Sequence, residues 1–173
     1  LLAHGSPDSR HAHSVDGLVT RLRGNGVRAQ AAYLDHHGPT PRDAALSLRA
    51  AGDPETTVVP LLVSPAYHAR VDVPKAVTAM QAANPDLEVS VAEPVGMHTL
   101  LLAAAAELVT RSGMKLGSRT GIILTATGSR DLRAVNAMES LLRGRGTALA
   151  EQLGARAVRA AYLDGGRPFG RIR

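Results

Sequence analysis

Short apolar runs alternate with amphipathic stretches along nearly the whole chain. The runs at 1–4, 27–34, 56–63, 87–91, 120–126 and 156–163 read as strands, and helical patterns fill most of the gaps between them. Such alternation predicts parallel βα units, an α/β fold with helices on both faces of one sheet. The segment 27–34 should then be a full-length second strand.

Spacing and caps place the helices. Val15, Leu18, Val19 and Leu22 follow the i, i+3, i+4, i+7 rule, and the pattern stops at Gly24-Asn25-Gly26. Thr40 before Pro41 is a cap residue followed by a proline at the first helical position, so a second helix opens there and runs through Leu46 and Leu48. Asp72 is placed to cap a third, with Val73, Val77 and Met80 facing inward, and residues 100–109 form an Ala-rich fourth after Gly96. His98 begins that helix. Residues 111–119, with Gly113, Gly117 and two serines, read as a linker.

A repeat spans that linker. Ala3-His4-Gly5-Ser6-Pro7-Asp8-Ser9-Arg10 parallels Ala126-Thr127-Gly128-Ser129-Arg130-Asp131-Leu132-Arg133, and Ala31-Ala32-Tyr33-Leu34-Asp35 recurs as Ala160-Ala161-Tyr162-Leu163-Asp164. The order is kept, and the second copy lengthens its first helix around Gly144 and Gly146. Residues 1–112 therefore form one lobe, 113–119 the linker and 120–173 the start of a second, repeated lobe. The chain begins inside a strand-like run without an initiator Met and stops partway through the second lobe, which points to a fragment. A poorly ordered basic tail is expected after Gly165.

Composition narrows the chemistry. With 173 residues the chain can bury a proper core, but aromatics are only 2%, so Ala, Val and Leu must fill it. The absence of cysteine excludes disulfides, thiolate metal sites and iron–sulfur clusters. No apolar stretch is long enough to span a bilayer, and the first residues lack signal-peptide character, so a soluble cytoplasmic protein with no membrane partner is expected. The net charge of +5 comes from 18 Arg and 2 Lys that are scattered, without basic runs or interleaved aromatics. That argues against nucleic acid and suits a small polyanion carrying carboxylates, which guanidinium groups pair at two points.

The candidate site follows from topology. His4 closes the first apolar run and His68 follows the third, so both imidazoles reach the carboxyl-end rim, where open α/β sheets bind ligands. Asp35 ends the second run. With strand order 2-1-3-4 the first strand lies between the other two, and the three groups converge. Two neutral imidazoles and a carboxylate would hold Co, Ni, Zn or Fe with positions left open. His11, His13, His36 and His37 rank as exposed loop or helix-start residues, with His36-His37 a candidate accessory metal cluster.

His4-Gly5-Ser6 and Tyr67-His68-Ala69-Arg70-Val71-Asp72-Val73-Pro74, with the aromatic-Leu-acidic end of strand two at Tyr33-Leu34-Asp35, resemble the sirohydrochlorin chelatase family. These class II chelatases insert Co²⁺ or Fe²⁺ into a cyclic tetrapyrrole. The likeness covers Leu1 to about Arg111 and part of the second lobe. It implies a chelatase-like fold and a role in cobalamin or siroheme biosynthesis. It makes His4 and His68 the metal-binding and proton-accepting pair and puts the family's acidic residue at Asp35. An acidic tetrapyrrole is the implied substrate, and no cofactor is implied beyond the substrate metal, Co²⁺, Fe²⁺ or Ni²⁺. Ser6, Arg10, Arg70 and Lys75 are candidates to bind the substrate, the three cations by pairing its carboxylates. The chain departs from the family where the acid is usually Glu, and Ala66 stands where Gly is frequent. Thr127 replaces the histidine in the second lobe, so one site per pair of lobes is expected.

Other functions fit less well. Gly5-Ser6 could cradle a phosphate at a helix start, but the dinucleotide fingerprint is absent, as is the Gly-x-Ser-x-Gly elbow of a Ser6 hydrolase. A non-catalytic metal or tetrapyrrole carrier, or a degenerate half, is the main rival. A homodimer in which a partner chain completes the second lobe is also compatible.

Overall fold

The computed structural model of the protein describes residues 1–63, 68–96, 98–126 and 132–163, with His68 and 132–134 as backbone only. Its contacts divide it into two compact units, Leu1–Gly96 and Met97–Arg173.

The first unit runs β1 (Leu2–Ala3), α1 (Ser9–Gly24), β2 (Ala32–Tyr33), α2 (Pro41–Ala50), β3 (Glu55–Val58), a π-helical turn (His68–Asp72), α3 (Val73–Ala83) and β4 (Glu88–Val91). β1 pairs parallel with β2, and β3 with β4. A single parallel bridge between Leu2 and Pro60 joins β1 to the stretch that follows β3. There Leu2 donates to the Val59 carbonyl at 2.9 Å and accepts from the Leu61 N–H at 2.8 Å.

Pro60 also explains why the β3–β4 ladder is short. The Ala92 N–H still reaches the Val58 carbonyl, but the next bond in a parallel ladder needs an N–H on residue 60, which proline lacks. Pairing resumes from Val95 to the Pro60 carbonyl and from Gly96 to that of Leu62. The strand therefore passes beyond its regular ladder toward the rim, with Pro60 fully buried.

The alternation of side chains puts helices on both faces of these strands. Leu2 and Ala32 pack with Ala45 of α2 and with Val73, Ala76 and Met80 of α3. Their neighbours Ala3 and Tyr33 point the other way, onto Val15 and Val19 of α1.

Two features differ from the sequence-based expectation. The strand expected at 27–34 is reduced to Ala32–Tyr33, because its first residue closes the preceding helix. The Val27 N–H bonds the Leu22 carbonyl and the Gly26 N–H bonds that of Arg23, a Schellman arrangement made possible by Gly26 at φ +79°. Val27 is left 49% exposed. Asp72, expected to cap α3, has helical backbone angles and makes no side-chain cap bond, because the chain already turns helically from His68.

The cap at Thr40 is a complete capping box with Asp43. The second unit comprises α4 (Thr99–Arg111), β5 (Gly121–Ala126), α5 (Leu132–Gln152) and β6 (Ala157–Tyr162), with β5 parallel to β6. His98 caps α4 through Nδ1, which accepts from the Leu100 N–H at 3.2 Å. Leu102 and Ala106 of α4 bury against Leu142, Leu149 and Val158. The boundary by contacts is therefore Gly96. Residues 164–173, including the expected basic tail, lie outside the described residues, as do Thr127 to Asp131 of the repeat. No described helix is long and apolar enough to cross a membrane.

Candidate metal-handling site

The ends of β1 and β2 stay joined past their regular ladder. The Leu34 N–H donates to the Ala3 carbonyl at 3.0 Å and the Asp35 N–H to the His4 carbonyl at 2.8 Å. Gly5 then turns away at φ +97°, and a Cβ there would lie 1.8 Å from the Asp35 carbonyl oxygen. A glycine is therefore required for His4 and Asp35 to leave their strands side by side.

His4 is half-buried, and its Nδ1 lies 3.1 Å from the Gly5 carbonyl oxygen. With the proton on Nδ1 the ring donates to that carbonyl, the second-shell bond that orients a metal-binding imidazole. The Asp35 side chain is 66% exposed; its Oδ1 accepts from the His36 N–H at 2.8 Å, and Oδ2 lies 3.7 Å from His36 Nε2. His36 has φ +64°. Its ring is tilted 48° to that of His4, with centroids 6.4 Å apart. The loop closes where the Tyr33 backbone N–H donates to the Pro39 carbonyl at 2.9 Å.

Beneath the rim a second group of rings collects. Tyr33, 2% exposed, lies between His11 and His37, at ring-centroid distances of 6.2 and 5.5 Å. His11 Nδ1, Tyr33 Oη and His37 Nε2 are buried without a hydrogen-bond partner from the protein. Burial, with Asp16 nearby, pushes the Tyr33 phenol above its ordinary pKa.

The structure brings His4 and Asp35 together. His68 opens the π-helical turn after the third strand, but the position of its side chain relative to His4 lies outside the described residues. Ser6 accepts from the Asp8 N–H at 3.1 Å, and Asp8 caps α1. Arg10 is engaged by Asp8 through Nε and Nη2, and this pairing holds the Asp8 carboxyl below its ordinary pKa. Lys75 Nζ stands 3.8 Å from Asp72 Oδ1, and Arg70 is exposed on the π-helical turn. Among the described residues no three His, Asp or Glu side chains are placed to enclose an ion as they stand. A groove of about 600 Å³ between α5 and β6 is lined by none of the site residues read from the sequence.

His36, read from the sequence as an exposed loop residue and with His37 as a candidate accessory metal cluster, stands beside Asp35. Histidine's enrichment in the left-handed region, just past a strand end and before Gly38-Pro39, was the available signal.

Comparison with known proteins finds relatives for the chain. The model of the CbiX family matches residues 1–112. The sirohydrochlorin ferrochelatase of Priestia megaterium is 25% identical over 150 residues, covering 84% of this chain and 56% of that protein. This chain thus spans little more than half of that relative's length. The solved structure described as SirB from Bacillus subtilis with Fe³⁺ superposes with a TM-score of 0.80 at 20% identity, over 96% of this chain and 65% of that one. The putative cobalamin (vitamin B12) biosynthesis CbiX protein from Marinobacter aquaeolei VT8 is 28% identical, with a TM-score of 0.55, over 64% of this chain and 92% of that one.

Proposed function

The chain belongs to the CbiX family, and on that premise we propose that it inserts a divalent metal, Co²⁺ or Fe²⁺, into sirohydrochlorin. The observation that carries the proposal is the paired rim, where His4 and Asp35 leave adjacent strands joined by a 2.8 Å backbone bond. The name of the Priestia relative supports the substrate.

Metal insertion needs little machinery. The macrocycle must lose two pyrrole protons while the ion sheds water, so the site must offer a base near the ring nitrogens and a weakly held cation. His4 and His68 share metal delivery and proton removal between them. Asp35 supplies the carboxylate on the open side of the rim. Ser6, Arg10, Arg70 and Lys75 bind the substrate, the three cations by pairing its carboxylates, with Arg10 exchanging Asp8 and Lys75 exchanging Asp72 for them.

The site needs strands in the order 2-1-3-4, and the Leu2–Pro60 bridge supports this reading. The 21-residue α5, followed by β6 beside β5, supports reading the second unit as the start of a repeated lobe.

The test follows sirohydrochlorin absorbance with Co²⁺, Fe²⁺ or Ni²⁺ for the wild type, His4→Ala and His68→Ala. Loss of general-base and metal-binding groups should lower the rate at least about 100-fold in each variant. Equal rates in all three proteins would overturn the mechanism. Tight binding of metal and tetrapyrrole without turnover by the wild type would identify a carrier instead.

A further inference from the structure

We propose that His36 is a further ligand for the incoming cation, capturing it together with His4 and offsetting the short reach of Asp35. The inference rests on the metal-insertion reading and deepens it. Three observations carry it.

First, His36 adopts φ +64°, a backbone conformation that side-chain-bearing residues rarely take and that concentrates at functional sites. The bond that secures this turn is made by the backbone, from the His36 N–H to Asp35 Oδ1 at 2.8 Å. The imidazole is therefore not what holds the loop, and Gly or Asn would fit the conformation with less strain.

Second, the conformation delivers the ring to the rim. Its Nε2 is 3.7 Å from Asp35 Oδ2, and its centroid is 6.4 Å from that of His4. A metal bound at about 2.1 Å by an imidazole nitrogen lies about 3.2 Å from the ring centroid, so two imidazoles sharing an ion in a tetrahedral shell have centroids about 5 Å apart. The observed separation is little more than 1 Å greater.

Third, the His36 side chain is 40% exposed, which leaves it room to swing about its side-chain torsions and close that gap. A half-exposed imidazole beside a half-buried one suits a capture step, because the outer ring meets the hydrated ion and the inner ring receives it.

The test uses His36→Asn and His36→Gly, both compatible with positive φ, with cobalt chloride as the probe. Thermal midpoints should equal or exceed that of the wild type. The Co²⁺ dissociation constant, from calorimetry or the visible bands of the bound ion, should rise at least about tenfold. The KM for Co²⁺ in metal insertion should rise more than kcat falls. Unchanged Co²⁺ affinity in both variants, with the wild type still inserting metal, would overturn this inference and leave the function intact. Lower thermal midpoints with unchanged affinity would overturn it too, by making His36 structural. A wild type that neither binds Co²⁺ nor inserts it would remove the function itself, and this inference with it.

Discussion

Gly5 and Asp35 approach so closely that a Cβ on Gly5 would fall 1.8 Å from the Asp35 carbonyl oxygen. This contact ties the His-Gly-Ser motif to the acid at the end of the next strand. Gly5→Ala combines a backbone clash with a disfavoured positive φ. It should cost about 2–4 kcal/mol in unfolding free energy. Denaturant titration measures that loss, and a variant as stable as the wild type would show that the two strand ends can separate freely.

Asp35 is one methylene shorter than the glutamate usual in the family. Asp35→Glu extends the carboxylate by about 1.5 Å, the length of a carbon–carbon bond. Co²⁺ affinity should be kept or improved in this variant. Asp35→Ala should weaken it about 10–100-fold, as for a group that orients or supplements the ligands of a metal. Titration of each variant with Co²⁺ at fixed pH checks both outcomes.

The Tyr33 hydroxyl is buried without a protein partner, and burial raises its pKa. Removing an unsatisfied buried hydroxyl while keeping the ring should be neutral or stabilising, so Tyr33→Phe should gain up to about 1 kcal/mol. A loss of that size in the denaturant midpoint analysis would show that the hydroxyl is bonded in solution.

The capping box at the start of α2 makes stability depend on acid. The Thr40 hydroxyl and N–H both donate to Asp43 Oδ2, at 2.7 and 3.0 Å, and hold its carboxyl below the ordinary range. Folding therefore lowers this pKa. The contribution is complete above the unfolded value of about 3.9 and is lost as pH falls through the lower folded value. Asp43→Asn should be less stable than the wild type near pH 7. The difference should shrink as pH drops below about 4, which thermal melts across that range would reveal.

Thr40→Ala removes the other half of the box and should cost about 1 kcal/mol at neutral pH, measured in the same melts.

Much of the fold was legible because its signals are local. Thr40-Pro41 announces a helix start through one residue's side chain and the next one's ring, and the spacing of Val15 and Val19 marks a buried face whatever lies across from it. His98 at the head of α4 was read in the same way. The two features that differ from the sequence-based expectation depend on backbone angles that composition does not reveal. Val27 looks like a strand residue until its N–H is found closing α1, and Asp72 looks like a cap until the turn before it is seen to be helical.

The order of apolar runs, the glycine after His4 and the acid after Tyr33-Leu34 by themselves determined an α/β chain with metal-competent groups at its strand ends. Tertiary structure alone decided that a backbone bond ties Asp35 to His4, that Pro60 shortens one ladder while its neighbours bond another, and that the His36 ring stands near that of His4. Hydrophobic periodicity selects each element from its own residues, whereas the partner of a backbone N–H and the sign of φ in a loop are settled only when separate segments pack together.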